Sequence, residues 1–158
     1  MNNINFDYRN NQIFSESVGE ELTNYHDNLE ITGCFLMEED NNSSLDISIL
    51  HKGKATTSKV ILRAVLKDSA HLNISGEIKI SEEADNSNAY FEAKVIILGD
   101  KARATVVPEL KIDNKFVTAK HAVVIKRISN QDLYFLSSRG LKRTIGEDMI
   151  TKGFLTIP

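Results

Sequence analysis

Between Leu29 and Ile128 apolar and polar residues alternate with a period of two, and a chain with that pattern over most of its length folds as strands, not helices. The alternating segments are LEITGCFLM (29–37), SLDISIL (44–50), TSKVILRAVL (57–66), HLNISGEIKI (71–80), AYFEAKVIIL (89–98), ARATVVPELKI (102–112) and FVTAKHAVVIKRI (116–128). Each is rich in β-branched and aromatic residues. The breaks EEDNNSS, HKGK, KDSA, SEEADNSN, GDKA and DNK carry turn chemistry. Seven strands at this spacing fit a sandwich, a barrel or a β-solenoid. Gly-Gly and Asn-Gly hairpin signals are scarce, and links such as KDSA are short corners that can turn a coil. A solenoid stacks like side chains into inward rows, which the alternating Ile, Val, Leu and Ala suit. No clean repeat of fixed length is visible, which counts mildly against a regular one.

Residues 1–28 are polar and Asn-rich and read as an N-terminal edge or cap segment, either a loose edge strand or a short helix. Residues 29–128 read as the β core. The character changes at Ser129, and residues 129–158 read as a helical segment of two short helices. Ser129 is the expected N-cap of the first, with Asp132 at the acidic place of a capping box. Leu133, Tyr134 and Leu136 fit one face, and Gly140 is placed to end that helix as a C′ glycine. Thr144 is the expected cap of the second helix, with Glu147 at N3. Ile145, Met149, Ile150 and Phe154 form its expected apolar stripe, and Gly153 and Pro158 close the chain.

Of 158 residues, 41% are hydrophobic, enough to bury roughly 70% of the unfolded surface in one domain. The net charge of −3 leaves no global basic field for nucleic acid. No apolar run approaches the roughly 20 residues that cross a bilayer, and MNNINFDYRNNQ lacks the regions of a signal peptide. The expected compartment is the cytoplasm, with no membrane partner. Cys34 is the single cysteine. It forms no intrachain disulfide, and the chain alone lacks the four thiolates that commonly hold an iron–sulfur cluster.

The stretch KHAVVIKRISNQDLYFLSSRGL (120–141) carries a strand histidine followed by a small residue, His121-Ala122. An aromatic helix then ends in Arg-Gly, Leu133-Tyr134-Phe135-Leu136-Ser137-Ser138-Arg139-Gly140-Leu141. Phe154 follows in ITKGFL. Upstream, HKGKATTSKVILRAVLKDSAHLNISGEIKI (51–80) and Ile97, Leu98, Ala102, Pro108, Leu110 and Ile112 continue the pattern. In this, roughly residues 45–155 resemble the C-terminal core of the SufB/SufD family of iron–sulfur cluster assembly proteins.

The resemblance implies a right-handed parallel β-helix, a short β-solenoid, with a C-terminal helical segment. It also implies a scaffold or accessory role, not catalysis. In that family the helical segment docks SufC, an ABC-type ATPase. The β-helices pair edge to edge, and a transient cluster forms near that pairing. The implied partners are therefore a SufC-like ATPase and a second copy or a related chain, as a homodimer or its equivalent. No GxxxxGK[ST] occurs, so nucleotide chemistry belongs to a partner. Where the family often has His-Gly-Ala-Thr, this chain has His121-Ala122-Val123-Val124. Where many members carry a Cys shortly before, it has Thr118-Ala119-Lys120. Both departures point to a SufD-like or accessory role.

His121 is the leading candidate ligand for a metal or cluster, since a neutral imidazole ligates iron. The ordinary alternative is a packed or solvated strand histidine. Cys34, in the apolar strand ITGCFLM, is the weaker candidate, because a free cysteine is often simply buried. His51 and His71 read as solvated. Tyr134, Phe135, Arg139, Gly140, Lys142 and Arg143 form the expected partner-binding patch. The acidic turns Glu38-Glu39-Asp40 and Glu82-Glu83-Asp85 support a rival reading, a β-helical carbohydrate-processing enzyme. Solvated loops are the plainer account of them. A third reading is a structural solenoid without chemistry.

Overall fold

Each strand lies parallel to the strand two elements before it, so the chain climbs by alternating between two sheets. The computed structural model describes residues 2–156; Met1, Ile157 and Pro158 lie outside the described residues. In chain order the elements are β1 (Asn2–Tyr8), β2 (Ser15–Leu22), β3 (Asn28–Met37), β4 (Asn42–His51), β5 (Thr57–Leu66), β6 (His71–Ile80), β7 (Asn88–Ile97), β8 (Arg103–Ile112), β9 (Thr118–Arg127), α1 (Asn130–Ser137) and α2 (Arg143–Phe154). One sheet runs β1-β3-β5-β7-β9 and the other β2-β4-β6-β8. Parallel neighbours need a long crossover, and here each crossover is a strand of the opposite sheet. The result is a parallel β-solenoid of about four coils with two C-terminal helices. Residues 1–28 carry the outermost strand of each sheet, β1 and β2.

Register explains why no fixed repeat is visible. The coil measures 27 residues from Asn2 to its partner Leu29 and 32 from His71 to Arg103. Strands hold their length while the corners vary. The conserved geometry is conformational: Asn11, Glu39 and Asp68 turn one corner with positive φ, and His26, Ala55 and Asn86 turn the other. Left-handed backbone tolerates Asn, Asp and His better than most side chains. Each corner is tied to the next coil, as in His26 N–H to Lys54 O at 3.2 Å and Ala55 N–H to Asp85 O at 2.7 Å.

Inward residues of successive coils stack into rows. Ile4, Ile31, Val60, Phe91 and His121 form one, and Val18, Ile47, Gly76 and Pro108 another on the opposite sheet. The middle coils are sealed: Leu29, Ile31, Phe35, Val60, Leu62, Ile74 and Phe91 are buried. Gly76 leaves room for the Phe91 ring, into which a Cβ at that position would run. At the N-terminal end Tyr8, Phe14 and Phe35 stack with ring centres 4.4 and 5.0 Å apart along the chain of contacts. Outside, neighbouring coils pair opposite charges, as in Lys59 with Glu30 at 2.9 Å.

His51 departs from the sequence reading. It is fully buried at a corner inside the solenoid, not solvated. Nδ1 lies 2.8 Å from Thr56 Oγ1 and Nε2 lies 2.8 Å from Ser58 Oγ. Ser87 Oγ completes the cluster, 2.8 Å from Thr56 Oγ1. A neutral ring offers one donor and one acceptor, which two hydroxyls can satisfy. Burial lowers its pKa from 6.5 to about 4.

Two outcomes follow from this interior. Gly76→Ala should destabilise the fold by about 1–3 kcal/mol, because the Phe91 ring must leave its rotamer or the sheets must part. Gly19→Ala meets open space and should be nearly neutral in the same urea titration. His51 binds a proton in the unfolded chain below about pH 6.5 but in the folded one only below about 4. Its contribution, of order 3 kcal/mol, is therefore present above pH 6.5 and is lost as pH falls toward 4. Denaturant midpoints across that window should lose this part of their slope in His51→Gln.

Candidate functional site

Two surfaces stand out from the sealed middle of the solenoid: the helical cap, and the open end formed by β8 and β9. The cap begins where the Arg127 guanidinium donates to the carbonyl oxygens of Gly99 and Ala102. Ser129 then caps α1 with the expected capping box: Asp132 N–H reaches Ser129 Oγ at 3.2 Å, and Ser129 N–H reaches Asp132 Oδ2 at 2.9 Å. Gly140, at φ +83, lets the chain reverse. Its N–H donates to Ser137 O at 2.9 Å, and Leu141 N–H to Leu136 O at 3.4 Å, the paired bonds of a Schellman turn.

The start of α2 differs from expectation. The helix begins at Arg143, and its N-cap is Lys142, which makes no side-chain capping bond. Thr144 therefore lies inside the first turn and caps nothing. Glu147 instead pairs with Arg143, Oε1 to Nε at 2.8 Å. The buried positions of α2 are Gly146 and Thr151; of the expected stripe Ile145 and Met149 are exposed and Ile150 and Phe154 half-buried. Gly146 brings the helices close, since a Cβ there would lie 3.1 Å from Leu136 Cδ1.

The cap is held to the outer face of the odd-numbered sheet at one end. Leu155 is buried with Val65 and Leu98, and Leu36, Ile96, Ile128 and Phe154 pack around them. Arg63 lies over the Phe154 ring at 6.0 Å and pairs with Glu92 at 2.6 Å. Glu92 also accepts from Tyr90 at 2.8 Å and pairs with Lys94 at 3.1 Å. Burial acts to raise the Glu92 carboxyl, and the bonds from Tyr90, Lys94 and Arg63 outweigh it, holding it at about 2.

What the cap leaves uncovered is apolar. Tyr134 is 73% exposed, Phe135 57%, Ile145 47% and Met149 57%. Arg139 lies 4.4 Å over the Phe135 ring. Lys142 and Arg143 are exposed beside them. Of the six residues expected to bind a partner, Arg139, Gly140, Lys142 and Arg143 lie at the helix–helix turn and Tyr134 and Phe135 in the second half of α1. Ile145 and Met149, expected in the apolar stripe of α2, are exposed as well.

His121 sits on β9 at the open end, in register with Phe91 of β7. It occupies the inward row of the last strand of its sheet and is exposed. Cys34 is on β3, half-buried, and its Sγ–H donates to Leu155 O at 3.0 Å. Burial pushes its thiol pKa up, away from ligand or nucleophile chemistry. β5 and β7 separate β3 from β9, a span of roughly 14 Å, and the two side chains belong to opposite faces. The fold does not bring Cys34 and His121 together. Among the described residues no three His, Cys, Asp or Glu side chains gather as metal ligands. His121 and Cys34 do not fit an iron–sulfur cluster held by this chain alone.

The acidic turns lie farther apart still. Glu38-Glu39-Asp40 joins β3 to β4, and Glu82-Glu83-Asp85 joins β6 to β7, at opposite ends of the strands. A ten-residue strand, roughly 30 Å, separates the two corner columns. Glu38 pairs with Lys67 at 2.7 Å and Asp85 with Lys54 at 2.9 Å. The carboxylate pair that glycoside hydrolysis needs, roughly 5–10 Å apart, is not formed between them.

No helix is long and apolar enough to cross a membrane among the described residues. Residues 9–154 match the family model described as SUF system FeS cluster assembly, SufBD core domain. The iron-sulfur cluster assembly protein SufD of Bacillus subtilis is 39% identical over 107 residues, covering 68% of this chain and 24% of that protein. A SufBD family protein of Staphylococcus saprophyticus is 22% identical over 88% of this chain and 32% of its own length. The SufB protein of Bacillus subtilis is 22% identical over 68% of this chain and 23% of its own length. The chain thus spans about a quarter to a third of these relatives.

Proposed function

The chain belongs to the SufBD core-domain family of the SUF iron–sulfur cluster assembly system, and from that premise we propose that it is a scaffold or accessory subunit, not a stand-alone enzyme. It works in the cytoplasm. Its helical cap docks a SufC-type ABC ATPase, and its open coil pairs edge to edge with a second copy or a related chain. The observation that carries this reading is the exposed apolar face of Tyr134, Phe135, Ile145 and Met149 on helices that are themselves anchored. Exposed aromatic and Met side chains rimmed by Arg139, Lys142 and Arg143 have the composition of an interface. The 39% identity to a protein named SufD, against 22% to one named SufB, favours the accessory role.

The cluster is cargo in this reading. His121 lies on the strand that would face the partner, so it offers one imidazole to a site completed by another chain. A purely structural solenoid would have no use for the exposed cap face. A carbohydrate-processing enzyme lacks the convergent carboxylates.

Co-purification with a SufC-like ATPase from the same cell tests the docking claim. The parent should retain the ATPase, and Tyr134→Ala and Arg139→Ala should each weaken retention by about tenfold, with unchanged circular dichroism. No association, or association indifferent to both substitutions, removes the claim. Anaerobic iron and sulfide reconstitution of the assembled complex should load less iron with His121→Ala than with the parent. Equal loading removes His121 from the site.

A further inference from the structure

The cap and the solenoid are held together by different means. Strands β3, β5 and β7 each bond to a neighbour on both sides, as do β4 and β6, so none can leave without breaking two ladders. The backbone bonds of the cap close within the cap: Leu133 N–H to Ser129 O at 3.2 Å, Leu141 N–H to Leu136 O at 3.4 Å, Gly146 N–H to Lys142 O at 3.1 Å and Leu155 N–H to Thr151 O at 3.1 Å. α1 packs chiefly on α2, and α2 meets the solenoid chiefly at β5. Lifting the cap therefore breaks no ladder of the sheets.

The seam is short and lies at the far end of the cap. Leu155 is its buried centre, against Val65 and Leu98, with Leu36, Ile96, Ile128 and Phe154 around it. Cys34 Sγ–H donates across it to Leu155 O at 3.0 Å. Arg63, held by Glu92, lies over the Phe154 ring. The other fixed point is where the chain leaves β9: Ile128 N–H donates to Ile97 O at 2.9 Å, and Arg127 to the carbonyls of Gly99 and Ala102. Between these points run helices of 8 and 12 residues, joined at Gly140. Helices this short are marginal alone in water. A segment held by few buried apolar contacts opens at a lower free energy than the fold as a whole.

We infer that residues 129–156 form a strap that opens as one unit from a solenoid that stays folded, hinged after Ile128 and latched by Phe154 and Leu155. Its opening uncovers Cys34 and the outward apolar side chains Leu36, Val65 and Ile96, against which the closed latch packs. The exposed face of Tyr134, Phe135, Ile145 and Met149 rides on the strap and moves with it. The strap needs neither an ATPase nor a pairing partner in order to open.

Hydrogen exchange on the full chain reads the two units separately. In the parent, amides of α1 and α2 should be at least about 100-fold less protected than those of β5 and β6, and should share one opening. Phe154→Ala should lower protection across both helices by about tenfold and leave β5 and β6 unchanged. Gly76→Ala should do the reverse, lowering the strands by about tenfold and leaving the helices unchanged. Should Phe154→Ala fail to fold, Leu155→Ala removes the other half of the latch and takes its place. Alkylation of Cys34 should quicken in the latch variant and hold its parent rate in Gly76→Ala. Helices as well protected as the strands, or losing protection together with them in Gly76→Ala, overturn the strap. A loss confined to α2 overturns the single unit, and alkylation unmoved by the latch variant overturns the covering of Cys34.

Discussion

Register between coils is the constraint on which the rest of this protein depends. A strand in either sheet satisfies its backbone N–H and C=O groups only on the strands one coil away. That pairing is in register along the length of each strand, so every side chain inherits a fixed neighbour on the next coil. Phe91 lies beside Val60 in its row, and its ring occupies the space that Gly76 leaves on the opposite sheet. A slip of one residue would send the inward set to the surface and the charged ladder into the core. The same rule confines polar interior groups to corners, where His51, Thr56, Ser58 and Ser87 satisfy one another.

A stack held this way necessarily has two ends, and each must be managed. The N-terminal end carries the aromatic stack of Tyr8, Phe14 and Phe35 and the inward carboxylates Glu16 and Glu20. The C-terminal end leaves apolar rows and His121 facing outward from the last half-coil. His121 ends a row that is buried in the coils before it and is itself exposed, because no further coil stacks on β9 among the described residues.

The cap connects to the solenoid differently. Leu155, Phe154 and the Arg63–Glu92 pair fix one end of α2, while the turn around Gly140 and the apolar faces of both helices stay clear of the sheet. The anchor lies on β3, β5 and β7, in the sealed middle of the stack, and not on the open edge. The exposed cap residues and the β8–β9 end therefore occupy separate surfaces.

Much of this was legible from residues alone. Period-two alternation located the strands from β3 to β9 to within a few residues, because side chains in a strand must alternate whatever the topology. Ser129 and Asp132 announced the start of α1, since a capping box is a local exchange of hydrogen bonds. Thr144 misled, because the turn set by Gly140 brings Lys142 to the N-cap first. His51 looked like a solvated corner and proved buried, because its partners Thr56 and Ser58 meet it only after the chain turns back. The coil repeat was hidden by corners of unequal length and was carried instead by left-handed backbone at Asn11, Glu39 and Asp68. Ile145 and Met149 had the spacing of an apolar helical stripe, and only tertiary packing through Gly146 and Thr151 turned them outward. Local chemistry determined the elements; which strand neighbours which, and so which faces stay open, was decided by contacts between residues about thirty positions apart, which no short window of sequence contains.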